Sequence, residues 1–262
     1  KSHKTDVTTV NTTASGQQII NLFYRIEGQD LRNSGWNHLS SSSFLTLSFY
    51  FKTTKTGTSK LPIMFRTRHG TNYYYVKNVT VTDPTNWNRY TVTIPGNSNI
   101  QIDDANTVGM DINFTYYSGP DKDTSSEGSW GSTNAYSTSQ STNYFDSTSN
   151  DMFITGIQLE VGDHATSFEH RSFTEELTRC YRYYRRFGAN GALPTPGAYN
   201  RFSIGYSPSS ADVRFPFQLD PPMRINPVNS NFSKSGSFSI QPGSIGSYSL
   251  TCDDASCSPN MM

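Results

Sequence analysis

"FLTLSFYFKTT" (44–54) is the stretch that decides the fold. It sets Phe44, Thr46, Ser48 and Tyr50 on one side and Leu45, Leu47, Phe49 and Phe51 on the other. A strict period of two marks a strand, because successive side chains of an extended chain point to opposite faces. The apolar side is expected to face a core and the mixed side to face solvent.

Working outward, the same kind of pattern recurs. "QQIINLFYRI" (17–26) alternates loosely, and "KLPIMFRTRHG" (60–70) and "TNYYYVKNVTVT" (71–82) meet at a Gly-Thr-Asn turn. "NWNRYTVTIPG" (86–96) alternates through Trp87, Tyr90, Val92 and Ile94 and closes on Pro-Gly, which makes Trp87 a core residue; Trp36 stays unassigned. "TVGMDINFTYY" (107–117) and "MFITGIQLEV" (152–161) are further strands. Between them, residues 118–151 show no apolar period and form a long loop, which in a compact domain is functional, packed on a partner, or mobile. Many short strands without intervening helices predict an antiparallel β-sandwich, so the fold class is all-β.

Composition agrees. The chain has 262 residues, only 16% charged and 13% aromatic, the balance that suits pleated sheet rather than disorder. Basic and acidic residues balance at 21 each, so no overall field favours nucleic acid or an anionic bilayer. No apolar run approaches the roughly 20 residues that span a membrane, so no membrane insertion is expected. The chain opens at Lys1 without a leader and stops on "CDDASCSPNMM", which reads as a piece of a longer protein. Cys252 and Cys257 are close enough to pair, with Cys180 left alone; the pairing stays open.

The domain plan runs from a polar, Thr-rich arm or linker (1–15) into a sandwich (16–170), a linking segment (171–190) and a second small β-domain (191–262), whose completeness stays open. Within the linking segment a helix is expected over about 173–187. Ser172 and Glu175 have capping-box spacing, with Thr174 as an alternative cap. Leu177, Cys180, Tyr181, Tyr184 and Phe187 make an apolar stripe, and Gly188 is a natural stop.

Several of these stretches together resemble a recurrent module of phage tail-fibre and other virion appendage proteins. They are "WNRYTVTIP" (87–95), "GSWG" (128–131), "NYF" (143–145), "FITGIQLEVG" (153–162), "ATSFEHR" (165–171) and "EELTRCYRYY" (175–184). The resemblance covers roughly residues 44–186 and is strongest over 153–184. It implies a jelly-roll sandwich similar to carbohydrate-binding modules, carried by a homotrimeric appendage on the virion surface beside other virion proteins. It implies no conserved active site and leaves sugar binding open. "VRFPFQLDPPMR" (213–224) is similar to the strand that opens the family's distal β-domain, with an extra Leu-Asp-Pro that departs from the pattern.

The chemistry-bearing candidates are few. Leu177, Tyr181, Tyr184, Arg182 and Arg185 on the helix suit an interface between domains or chains, since Tyr and Arg are enriched there. Their arginines are expected to pair with acids such as Glu160 or Glu169. Trp130, with Tyr117, Tyr136 and Tyr144 in or beside the long loop, is the candidate platform for a host-surface glycan. The competing reading makes Trp130 an anchor that pins the loop. Asp121, Asp123 and Glu127 carry oxygen ligands for a structural calcium, but the spacing of a calcium loop is missing and solvated charge is the preferred reading. No zinc spacing, phosphate loop or nucleophile motif is present, so no cofactor, metal site or catalytic residue is assigned and no enzyme is expected. The alternatives are a glycan-degrading enzyme or its binding module, and a purely architectural virion protein.

Overall fold

The computed structural model describes residues 1–11, 16–184 and 220–224. The chain divides into two compact units, 1–169 and 170–262.

The first unit is an all-β sandwich of two antiparallel sheets. One has the strand order β1(His3–Asp6), β9(Asp151–Val161), β3(Phe44–Thr53), β6(Asn88–Pro95). The other runs β2(Ile19–Glu27), β7(Val108–Ser118), β4(Ser59–Thr67), β5(Tyr74–Val81), with β8(Trp130–Gly131) added at its edge. Orders 1-9-3-6 and 2-7-4-5 interleave two Greek keys, which is the jelly roll. The opening residues are therefore more than an arm. Residues 3–6 pair with β9 from His3↔Ile154 to Asp6↔Asp151 and complete the first sheet. Four polar residues carry no readable period, and only the pairing gives them their structure.

β3 lies at the centre of its sheet, and Leu45, Leu47, Phe49 and Phe51 enter the core as expected. Its mixed side departs from the expectation, since Thr46 and Ser48 are fully buried too. The segment 162–169 covers them. Thr46 donates its hydroxyl to the Gly162 carbonyl at 2.8 Å, and Arg89 bridges Ser48 Oγ at 2.9 Å to the Thr166 carbonyl. Small hydroxyl side chains fit under a backbone that crosses this closely.

The two tryptophans outside the long loop fall on opposite sides. Trp36 is buried and donates its indole N–H to the Ser43 carbonyl at 3.2 Å. Trp87 is 40% exposed, against the expectation that it is core. The β3–β6 ladder ends at Phe51↔Asn88, so Trp87 lies beyond the paired strand, edge-on to Phe153 with the Lys52 ammonium 5.3 Å from its ring centre. The five-residue α1(Gly28–Arg32) is too short to show a period in sequence. It packs so closely on β7 that a Cβ on Gly109 would lie 2.7 Å from Gly28 Cα.

In the second unit, α2(Phe173–Tyr181) begins at the expected cap. Ser172 accepts from the Glu175 amide at 3.2 Å, and Glu175 reaches back to the Ser172 amide at 3.1 Å. The helix stops at Tyr181, earlier than expected, and buries none of its residues. Arg185, Phe187, most of the expected second β-domain and the Cys252–Cys257 pair lie outside the described residues.

Candidate functional site

The outward face of the 2-7-4-5 sheet gathers the chemistry. Alternation sends Ile112 and Phe114 of β7 into the core and turns Asp111, Asn113, Thr115 and Tyr117 outward. Register places Arg25 opposite Asp111 and Phe23 opposite Asn113 on the β2 side, with Arg66 and Met64 at the same levels on the β4 side. The result is an ionic row of Arg25, Asp111 and Arg66, a row of Phe23, Asn113 and Met64, and beyond them the hydroxyls of Thr115 and Tyr117 on β7.

The long loop covers the hydroxyl end. Its chain is tied down by Thr142 N→Lys60 O at 2.9 Å, Tyr136 N→Lys122 O at 2.8 Å and a bridge between Asp123 and Ser137. Beneath it lies a cavity of about 250 Å³, with Pro62, Thr115 and Tyr117 among its floor residues and Ser137, Thr138 and Asn143 among its cover. The Thr115 and Tyr117 hydroxyls are shut off from solvent and hydrogen-bond to nothing among the described residues. An unpartnered buried hydroxyl costs about 1–3 kcal/mol, so such pairs of unused groups are rare in folded proteins.

The four aromatic candidates separate on this frame. Tyr117 lines the cavity but is 3% exposed, so it is no open platform. Tyr144 is a core residue and is corrected as one. It is fully buried, hydrogen-bonded to Ser59 Oγ at 2.9 Å and packed edge-on against Phe51 and Tyr116; burial pushes its phenol pKa up. Tyr136 is also corrected to a buried residue. It lies in a small apolar cluster with Met64, Tyr74, Val76 and Ala135, and accepts from Arg66 Nη1 at 3.2 Å. Trp130 is half-buried on Tyr75, with ring centres 5.4 Å apart, and donates its indole N–H to the Pro95 carbonyl at 2.7 Å. It straps the loop across to β6, as the anchor reading requires. A polar loop this long has no core of its own, so its large rings dip into the sandwich.

At the ionic end Phe23 and Arg25 are exposed and Arg68 partly so. Asp111 is buried and faces three guanidinium groups. Arg66 Nε donates to it at 2.8 Å, with Nη2 on the same oxygen; Arg25 Nε lies 3.4 Å away and Arg68 Nε 3.8 Å away. Burial opposes the charge on Arg66, but Asp111 outweighs it and raises the guanidinium pKa. Phe23 is 50% exposed, with the Arg25 guanidinium 5.0 Å from its ring centre. Neither Arg25 nor Phe23 was singled out in sequence. Only the pairing of β2 with β7 brings them beside Asp111.

Two other features of the sandwich matter. A cleft of about 390 Å³ opens between the edges of β5 and β6, lined by residues including Lys77, Arg89 and Tyr90. On β9, Gly156 sits at φ +58° against the Tyr50 ring, where a Cβ would meet Tyr50 at 2.9 Å. The β3–β9 register shifts there, so Ile154 faces inward before it and Leu159 after it. Gln158 and Glu160 are thereby turned out to hold the 163–169 segment. Gln158 accepts from the Glu169 amide at 2.7 Å, and Glu160 takes the Thr166 amide and hydroxyl. Glu160 is therefore engaged by Thr166 within the sandwich.

Asp123 accepts from the Ser137 hydroxyl at 2.6 Å, while Glu127 holds Asn78 and Lys77. These carboxylates serve separate contacts, and among the described residues no three His, Cys, Asp or Glu side chains gather to hold a metal ion. No helix among them is long and apolar enough to cross a membrane.

No family model matches the chain. No curated protein matches it. A solved structure titled "Family 16 Carbohydrate Binding Module-2" is similar to it at 10% identity and a TM-score of 0.28, over 60% of this chain and 74% of that chain.

Proposed function

We propose that this chain is a non-enzymatic module of a virion appendage, and that the outward face of the 2-7-4-5 sheet meets a glycan on the host surface. The observation that carries the sugar reading is the roofed cavity at the hydroxyl end. Its lining is rich in hydroxyl and amide groups, with proline and tyrosine faces among them; the unpartnered Thr115 and Tyr117 hydroxyls lie sealed behind that lining and meet a ligand once the covering 137–143 stretch moves aside. Sugars offer what such a site lacks, many hydroxyls beside weakly apolar ring faces. Small-ligand sites are commonly concave, with a few convergent polar groups. The Phe23 ring on the open side adds a stacking surface.

The virion reading rests on the motif resemblance, and its most specific part has a mechanical sense. "GIQLEVG" and "ATSFE" form one lock, in which Gly156 re-aims the strand and Gln158 and Glu160 clamp the following segment. α2, capped at Ser172, exposes Phe173 at 81% and Tyr181 at 37%, and Tyr184 just beyond its end is 70% exposed. Aromatic rings displayed on a short helix suit assembly with other chains, and we assign α2 to a trimer contact.

Binding of the whole chain to a panel of bacterial-surface oligosaccharides tests the sugar reading, with Tyr117→Phe as the diagnostic variant. The expected result is binding by the parent chain and at least about a tenfold loss in the variant, with no fall in melting temperature, since the removed hydroxyl has no partner. A cavity that holds only ordered water predicts no binding by either protein. Sedimentation tests the assembly reading; a monomer at micromolar concentration would contradict it.

A further inference from the structure

We propose that the ligand of this face is an acidic glycan, one whose sugars carry carboxylates, with Arg25 and Arg68 as its charge partners. The inference rests on the sugar-binding reading and names the class of sugar.

Three guanidinium groups converge here, and among the described residues Asp111 is the one carboxylate in ion-pair range of them. One carboxylate neutralises one charge, so the patch keeps an excess of two positive charges on a chain that is neutral overall. The three arginines also do different work. Arg66 is largely buried and spends its fork on Asp111, which fixes both groups in the fold. Arg25 and Arg68 have side chains 52% and 32% exposed, and their nearest approaches to Asp111, 3.4 and 3.8 Å, are long for hydrogen bonds. Each guanidinium has five N–H donors, and a second carboxylate can be held in bidentate fashion.

Phe23 sits beside this charge, exposed over half its surface and already flanked by the Arg25 guanidinium. A ring face next to unspent guanidinium donors matches a uronic or nonulosonic acid residue, which presents an apolar C–H face and a carboxylate on one small ring. Further along the same side of β7, beyond the buried Asn113, lies the Thr115–Tyr117 cavity. A neutral glycan would leave the excess charge unanswered.

The test measures binding of the whole chain to oligogalacturonate, hyaluronan and oligosialate fragments, each beside its carboxyl-reduced neutral counterpart. At least one acidic member is expected to bind about tenfold or more tighter than its reduced form. The preference should shrink as salt rises from about 0.05 to about 0.5 M, since exposed charges are screened. The Arg25→Gln/Arg68→Gln double variant should lose the preference while keeping the affinity for the reduced form and its melting temperature. Arg25→Lys/Arg68→Lys, which keeps charge but not the fork, should recover only part of it. Equal binding of acidic and reduced forms, or a preference that survives the Gln variant, overturns the inference and leaves the sugar reading standing. No binding to any member, acidic or neutral, removes both.

Discussion

Glu160 holds Thr166 by two bonds, accepting from its backbone amide at 3.2 Å and from its hydroxyl. The consequence is felt beneath, where Thr46 and Ser48 are sealed under the crossing chain. Glu160→Ala should release that crossing. We expect a loss of about 1 kcal/mol, since hydrogen bonds to a charged but partly solvated group are worth about that much. Hydrogen exchange of the Thr166 amide should accelerate while the β4–β7 ladder is unchanged.

Trp130 joins β8 to the end of β6 through its indole N–H. Trp130→Ala removes a half-buried ring from Tyr75 and one hydrogen bond, with an expected cost of about 3 kcal/mol, the lower end for truncating a tryptophan. The melting temperature reads this directly. A variant that melts like the parent but loses ligand would return Trp130 to the role of platform.

Buried Asp111 is the sole counter-charge seen for the partly buried Arg66 among the described residues. Asp111→Asn should cost about 3–5 kcal/mol, because breaking a buried pair leaves a charge without compensation. Chemical denaturation measures it. An effect near zero would mean that water reaches the cluster freely.

The sandwich was legible in the sequence because its inner faces obey a period of two, as in Leu45–Phe51, and the start of α2 because Ser172 and Glu175 have capping-box spacing. The misreadings share a cause. Trp87 has the apolarity of a core residue, but the ladder stops one residue short of it. Tyr144 looks like a loop residue, and only the return of the loop onto the sandwich buries it. β1 has no pattern, and its strand exists because β9 offers an edge. Of the candidate site, Tyr117 was within reach of sequence reasoning. Arg25, Arg68 and Phe23 were not, since strand register alone brings residues so far apart in sequence around Asp111.

The carboxylates set the response to acid. Burial alone would raise Glu127 and Asp146, but Asn78 and Lys77 on the first, and Lys55 and Asn150 on the second, outweigh it and hold both below their ordinary values. Depressed folded values mean that these contacts stabilise the fold fully above the ordinary values of 4.5 and 3.8 and are lost as pH falls through the lower, folded ones. The melting temperature should be flat from pH 7 to about pH 5 and then decline. Glu127→Gln should flatten part of that decline; an unchanged acid limb would contradict the assignment.

Contact of a glycan with the outward face of the 2-7-4-5 sheet is read by the backbone amides that a bound oligosaccharide perturbs, with shifts expected at 23–25, 111–117 and 137–143. Shifts centred on the Lys77–Thr93 cleft or on Trp87 and Phe153, or no shifts at saturating sugar, would contradict it.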